Sequence, residues 1–259
     1  DPIPSRGLGD VYKRQYALMA RRYFHEFDAN HDDLVHVSVK NHFHGSMNSL
    51  AHIQKEVSFE KAAGGFMVAD PLTLYDCCPT SDGASCVVLA SDRIARNLTD
   101  TPVWVKGSGA ASDNLALHDR PSITQLKATQ AASQRAYAMA DVSASHIDLA
   151  EVHDCFTIAE VLATEDLGFA KRGEGGLFAR NQEGRLNQGT TTVNASGGLK
   201  SKGHPLGATG AGQVVEVFKQ LRGEAEVGRQ VRDAETALTH NVGGSGATCA
   251  VHVFGRNRS

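Results

Sequence analysis

The sequence lacks most features that assign a function class at a glance. No apolar run approaches the ~20 residues needed to span a bilayer. There is no basic surplus: 26 Lys and Arg against 29 Asp and Glu leave a formal charge of −3, so nothing points to nucleic acid. The five cysteines are an odd count with no CxxC spacing, which indicates neither a disulfide framework nor a zinc ribbon. A reducing cytosol is the default compartment for such cysteine usage. The opening DPIPSRG has neither an initiator methionine nor the apolar stretch of a signal peptide. His31, His36, His42, His44 and His52 show no HxxxH on a helix and no carboxylate-flanked pattern, so they read as solvated loop residues and no metal site is expected.

What is present fits a folded protein. The 259 residues are 41% hydrophobic and 21% charged, enough to bury a core without metal or disulfide staples. The 26 glycines gather mainly in the C-terminal half. Residues 1–15 share no pattern with the rest of the chain and read as a non-native tail. The composition then predicts a helix over Tyr16–Phe27, a strand over Leu34–Val39 and a polar loop over Asn41–His52. Cys86–Ala90 is a short apolar run and predicts a buried strand. Asp92–Leu98 predicts a helix, and Val103–Lys106 a strand. Ser122-x-x-Gln125 has capping-box spacing and predicts the start of a helix over Thr124–Ala140. Ile147–Val152 reads as a strand, Phe156–Leu167 as a helix stopped by Gly168, and Gly173–Gly189 as a glycine-rich loop. Thr209–Leu221 places Val214, Val217, Phe218 and Leu221 on one helical face. Two strands, Thr236–His240 and Ala247–Phe254, close the chain. This order predicts a mixed sheet covered by helices. Cys86 and Cys249 are expected in the core.

Three segments carry chemistry. In His153-Asp154-Cys155-Phe156, a histidine follows a strand and a cysteine meets a helix N-terminus, where the macrodipole favours thiolate. The rival reading makes Asp154 a helix cap and Cys155 a small buried hydrophobe. Asn194–Gly210 holds five glycines in seventeen residues, which excludes a helix interior and lets backbone approach a ligand. Within it His204, between Gly203 and Pro205, suits a general base or an oxyanion donor, and Lys200 and Lys202 suit an anionic ligand. Walker spacing is absent. In His240-Asn241-Val-Gly-Gly-Ser-Gly246 a hairpin turn competes with an anion-binding nest of backbone N–H groups.

Together these segments resemble the thiolase superfamily. HDCF at His153–Phe156 is similar to the motif of sterol-carrier-protein-type and archaeal-type thiolases. SGGLKSKGHPLGATG at Ser196–Gly210 resembles the family's GHP segment, and HNVGGSGA at His240–Ala247 takes the place of its Cys-x-Gly segment. VSVKNH at Val37–His42 and SDGASCVVLAS at Ser81–Ser91 also resemble the archaeal type. The resemblance covers residues 16–259 and departs in two places. No cysteine here has the context of the family's nucleophile, and Asn241 stands where the Cys-x-Gly cysteine would be, with Gly243 as the glycine counterpart.

The resemblance implies an α/β thiolase-like fold. Residues 16–91 would be a remnant of the loop region and last strand of a mostly missing N-terminal half, and residues 92–259 a largely complete C-terminal half. It implies an acyl-CoA C-acyltransferase that joins two acetyl-CoA or cleaves acetoacetyl-CoA, using coenzyme A thioesters and no cofactor. His153, Cys155, His204 and Gly243 would be catalytic. Phe156, Ser196, Gly197, Gly198 and Asn241 would contact substrate. It implies a cytoplasmic homo-oligomer, partnered by a hydroxymethylglutaryl-CoA synthase and a zinc-ribbon/OB-fold bridging protein. The fragment itself would be inactive without the nucleophile. The rivals are a non-catalytic acyl-CoA-binding scaffold and a ketoacyl-synthase-like enzyme.

Overall fold

The computed structural model describes residues 8–257. Residues 1–7 of the expected tail therefore lie outside the described residues, and the rest of it, from Leu8, is helical. The first half holds helices α1 (Leu8–Phe27), α2 (His31–Ser46) and α3 (Phe59–Ala63), the short strands β1 (Met67–Ala69) and β2 (Leu72–Thr73), and α4 (Asp92–Leu98). Then come β3 (Trp104–Ser112), α5 (Lys127–Ala140), β4 (Leu149–Glu151), α6 (Thr157–Asp166), α7 (Gly175–Arg180) and β5 (Thr192–Val193). The chain ends with α8 (Gly198–Ser201), α9 (Thr209–Arg222), β6 (Thr236–Gly243) and β7 (Thr248–Gly255).

The main sheet runs β3-β7-β6-β4-β5. The β3–β7 and β7–β6 pairs are antiparallel, and the β6–β4 and β4–β5 pairs are parallel. This is the expected mixed sheet. Strand alternation divides its two faces. Leu238 and Val242 of β6, with Val251 and Val253 of β7, pack on the alanine face of α5, made by Ala128, Ala132 and Ala136. Ala237 and Phe254 face the other way, onto Val217 and Leu221 of α9. The predicted α9 face is only partly right, because Phe218 is exposed.

Several expectations need correction. Leu34–Val39 is part of α2, not a strand, and Asn41–Ser46 belongs to the same helix rather than to a loop. Asn30 caps α2, and Asp33 returns a bond to the Asn30 N–H at 3.0 Å. This box outweighs the period-2 spacing of LVHVSV. His42 and His44 are accordingly buried rather than solvated. Cys86–Ala90 forms no strand. Among the described residues it has no strand partner, and Val88 and Leu89 are 85% and 80% exposed. Cys86 is exposed too, while Cys249 is buried as expected.

The Ser122 box does not open α5. Ser122 Oγ accepts only the Thr124 N–H, at 3.2 Å, and the helix starts at Lys127. Asp166, from α6, takes the Leu126 N–H at 2.7 Å and Gln130 Nε2 at 2.8 Å, so this cap comes from another element. The Gly173–Gly189 loop contains the helix α7.

Candidate active site

β4 ends at Glu151, and the chain then runs through His153 to Phe156, which precedes α6. The His204 loop enters α9. These two segments bring His153 and His204 together: their rings meet edge to face, with centroids 5.0 Å apart. His240 of β6 joins from below, its Nδ1 accepting the His153 N–H at 3.4 Å. That bond leaves the ring proton of neutral His240 on Nε2, which donates to Thr129 Oγ1 at 3.0 Å. Burial pushes His240 down to about 3. It holds His153 well below the ordinary histidine range, helped by His204 and His240. His204 is lowered as well, by burial and then by Lys202. All three imidazoles are therefore neutral near pH 7. His153 Nδ1 is buried with no hydrogen-bond partner among the described residues, a state that a ligand or water would relieve.

His204 Nδ1 lies 2.7 Å from Thr209 Oγ1, in the first turn of α9. The Thr209 hydroxyl is also 3.0 Å from the Pro205 carbonyl. A hydroxyl both donates and accepts. It can accept from Nδ1–H, leaving Nε2 a base, or donate to Nδ1, leaving Nε2–H an oxyanion donor. Thr209 thus supports both forms of His204. Sequence reasoning missed it, although Thr209 stands in the same GHPLGATG run.

Gly203, before His204, has φ +112°, and a Cβ there would meet Ser81 Oγ at 2.7 Å. Gly197 has φ +96°, and its Cβ would meet the Gly45 Cα at 2.6 Å. The glycines thus let α2 and the Ser81 loop close onto the His204 segment. A cavity of about 620 Å³ opens beside it, bordered by Gly203, Pro205, Thr209, Lys202 and Ser81.

Asn241 and Gly243 lie within β6, which runs past the expected strand end at His240. Asn241 faces α9, where its Nδ2 donates to Gln213 Oε1 at 3.2 Å. Gln213 Nε2 in turn donates to the Glu151 and His240 carbonyls, at 3.3 and 3.0 Å. Gly243 reaches the edge of β6 opposite Thr248, bordering a separate surface hollow with Asn241 and Ser112.

Cys155 is buried, with its thiol beside the Tyr16 hydroxyl and Cys78. Burial raises it well above the usual thiol range, followed by the field of Cys78. The helix-terminus stabilisation expected for its thiolate is overcome by desolvation. Phe156 stacks on Tyr16 with centroids 4.7 Å apart. Asp154 does not cap α6. It accepts the Leu199 and Lys200 N–H groups of α8, at 2.6 and 3.2 Å, and Asn41 Nδ2 at 2.8 Å. Gly198, at φ +61°, opens that helix against Asp154. Ser196 donates through its N–H and hydroxyl to buried Glu151.

Behind this layer lies a polar cluster that the sequence did not reveal as one. Lys40 Nζ pairs with Glu160 at 2.9 Å, and Asn41 and Asn194 donate to the same carboxylate at 2.8 and 2.7 Å. Its only sequence signal is VSVKNH, which holds Lys40 and Asn41. Among the described residues no group of three or more His, Cys, Asp or Glu is placed to hold a metal.

Comparison with known proteins agrees with this geometry. The thiolase C-terminal domain-like family matches residues 109–256. The chain is 50% identical over 248 residues to the acetyl-CoA acetyltransferase of Methanothermobacter thermautotrophicus, covering 96% of this chain and 64% of that protein. It is 40% identical over 256 residues to the Methanocaldococcus jannaschii acetyl-CoA acetyltransferase, covering 97% of this chain and 65% of that one. The solved structure titled Ltp2-ChsH2(DUF35) aldolase superposes with a TM-score of 0.85 at 25% identity, over 100% of this chain and 66% of its own. The chain belongs to the thiolase family. It spans about two thirds of the length of these relatives.

Proposed function

We propose that these residues supply the acid/base and oxyanion groups of an acyl-CoA C-acyltransferase that forms or cleaves acetoacetyl-CoA. The observation that carries the reading is the His153–His204 contact, with neutral His204 held through Nδ1 by Thr209. His204 Nε2 takes the proton of a cysteine thiol, and that thiolate attacks an acyl-CoA to give an acyl-enzyme and free coenzyme A. The cysteine belongs to a segment outside these 259 residues. In the second half-reaction His204 and His153 hold the thioester oxygen of the other acyl-CoA, while Cys155 removes a proton from its α-carbon. The enolate attacks the acyl-enzyme and the cysteine leaves as thiolate. Each oxyanion donor contributes ~3–4 kcal/mol. The raised pKa of Cys155 means that it must gain thiolate character when substrate is bound. The resemblance would give the acyl oxygen to the Gly243 N–H, although Gly243 here borders a hollow apart from the cavity beside His204, and Phe156, Ser196, Gly197, Gly198 and Asn241 would shape the substrate's surroundings.

The same reading makes the complete protein a cytoplasmic homo-oligomer that uses coenzyme A thioesters, without a further cofactor, in isoprenoid-precursor and lipid metabolism. Its partners would be a hydroxymethylglutaryl-CoA synthase and a zinc-ribbon/OB-fold bridging protein. The DUF35 component named alongside the aldolase supports the bridging partner.

The test joins the chain to its upstream reading frame. Thiolysis of acetoacetyl-CoA should appear in the joined protein, vanish in its His204→Ala variant and be missing from the 259-residue chain alone. Turnover by the short chain that is lost in Cys155→Ala would instead make Cys155 the nucleophile and overturn the assignment.

A further inference from the structure

Acyl transfer as proposed makes no use of Lys200. Helix α8 carries it inward until only 3% of the residue is exposed. Its Nζ donates to the Cys77 carbonyl at 2.8 Å and lies 5.8 Å from the Tyr75 ring centroid. An ammonium has three donors, and neither a carbonyl nor a ring face neutralises it. No carboxylate pairs with it among the described residues. The two acids whose fields reach it are committed elsewhere. Asp76 holds His31, Thr73 and Thr157, and Asp154 holds Asn41 and two backbone N–H groups. A buried charge without a counter-charge is costly.

Close by, His42 is 2% exposed. Its Nδ1–H goes to the Lys55 carbonyl at 3.2 Å, so Nε2 is an acceptor, and among the described residues it has no partner. His42 and Lys200 line one cavity of about 320 Å³, together with Ile53, Val57, Tyr75 and Pro79. Lys55 and Lys61 add two cations to its lining against one anion, Glu56.

We propose that this cavity binds a small carboxylate with a compact apolar body, the carboxylate on Lys200 and a hydroxyl of the ligand on His42 Nε2. One buried ammonium among apolar walls suits a single negative charge; a phosphate dianion needs several converging donors. The carboxylate belongs either to a free acid or to the far end of an acyl chain carried by coenzyme A. The second source rests on the acyltransferase reading. It is favoured by continuity with the active segment, since Cys78, in the cavity wall, donates its N–H to the Cys155 carbonyl at 3.0 Å.

The test titrates the 259-residue chain calorimetrically with butyrate, 3-hydroxybutyrate and butylamine. Both acids should bind saturably, the hydroxy acid more tightly, and the amine not at all. Lys200→Met should weaken acid binding roughly tenfold or more, as loss of a charge-assisted bond does. Val57→Trp, which fills the cavity and keeps Lys200, should do the same, so that a folding failure in one variant does not decide the matter. Equal binding of butylamine, no saturable binding of either acid, or affinity unchanged in both variants overturns the site. Displacement of 3-hydroxybutyrate by succinyl-CoA but not butyryl-CoA assigns the carboxylate to an acyl chain; displacement by neither assigns it to a free acid. Binding is read without turnover, so its failure is separate from failure of the acyltransferase reading.

Discussion

The His153 and His204 rings stand at 89° to each other with centroids 5.0 Å apart, although one follows β4 and the other precedes α9. An edge-to-face pair directs ring C–H or N–H of one partner toward the π face of the other. Two positive charges at this distance would repel, and after burial His204 is the next cause that lowers His153. Protonation of one therefore opposes protonation of the other, and both rings stay neutral near pH 7.

Thr209 sets how His204 uses its proton. Thr209→Val should remove the Nδ1 partner and scatter the tautomer, seen as a change in the His204 ¹⁵N shifts of the purified chain. Thr209→Ser should restore them. In the complete enzyme the valine variant should lose about fivefold in kcat with little change in KM, the scale of one hydrogen bond of ~1 kcal/mol. Unaltered ¹⁵N shifts in Thr209→Val would show that the hydroxyl does not position the ring.

Cys155 and His204 should separate kinetically in the complete enzyme. Cys155→Ala should still give a burst of one acyl group per site, while condensation falls by ~10²–10⁴. His204→Ala should impair both steps. Rapid-quench acylation and steady-state condensation report the two, and the reverse pattern would exchange the roles.

The stability contributed by the buried histidines should decline in mild acid. His42, at about 4, His240, at about 3, and His44 and His153, lower than usual, are all depressed by burial. The unfolded chain takes up their protons near pH ~6.5 while the fold does not. Stability is therefore full above that pH and falls as pH drops toward the folded values, by up to about 1.4 kcal/mol per pH unit for each histidine. His31 works oppositely. Its bond to Asp76 raises its pKa, so its contribution is present in acid and fades as pH rises through the folded value. Asp154 and Asp166, each pushed up to about 7 by burial, also work oppositely, since the fold takes up their protons before the unfolded chain does. The histidine share is therefore read from one variant: the gap in urea midpoint between the parent chain and His240→Gln should narrow from pH 8 to pH 5, and a gap that widens contradicts the assignment.

Gly197→Ala should destabilise the chain by ~1–3 kcal/mol, because its positive φ disfavours any Cβ and that Cβ would press on Gly45 backbone. Gly212→Ala, where a Cβ meets nothing within 4 Å, serves as the control and should cost nothing. Equal urea midpoints for the two variants would remove the close-approach argument.

The second half of the fold was largely legible because its signals are local. The helix α9 has an apolar stripe and ends at Gly223 in the left-handed region; α6 is stopped near Gly168; β6 and β7 flank a glycine turn. One failure has a local cause, a helix cap that overrides alternation, and the others arise where non-local partners decide. LVHVSV alternates like a strand, yet the Asn30 box winds it into α2. The start of α5 depends on Asp166, forty positions away in sequence. The apolar run Cys86–Ala90 would suit a strand, but among the described residues nothing pairs with it. At the site, His153 and His204 were legible from their position beside breaks in the chain. The cluster of Lys40, Asn41, Glu160 and Asn194 was not, since no spacing announces groups drawn from three separate elements.

Gln213 turns a single side-chain amide into a gauge block. Its NH₂ spans the carbonyls of Glu151 and His240, and its oxygen receives Asn241. The spacing between the end of β4 and the middle of β6 is thereby tied to the reach of one glutamine. A glutamate there would aim a negative oxygen at two carbonyl oxygens, and an asparagine would fall one methylene short. Tolerance in the layer that holds His153 and His240 is thus set from α9, by a side chain that only measures distance.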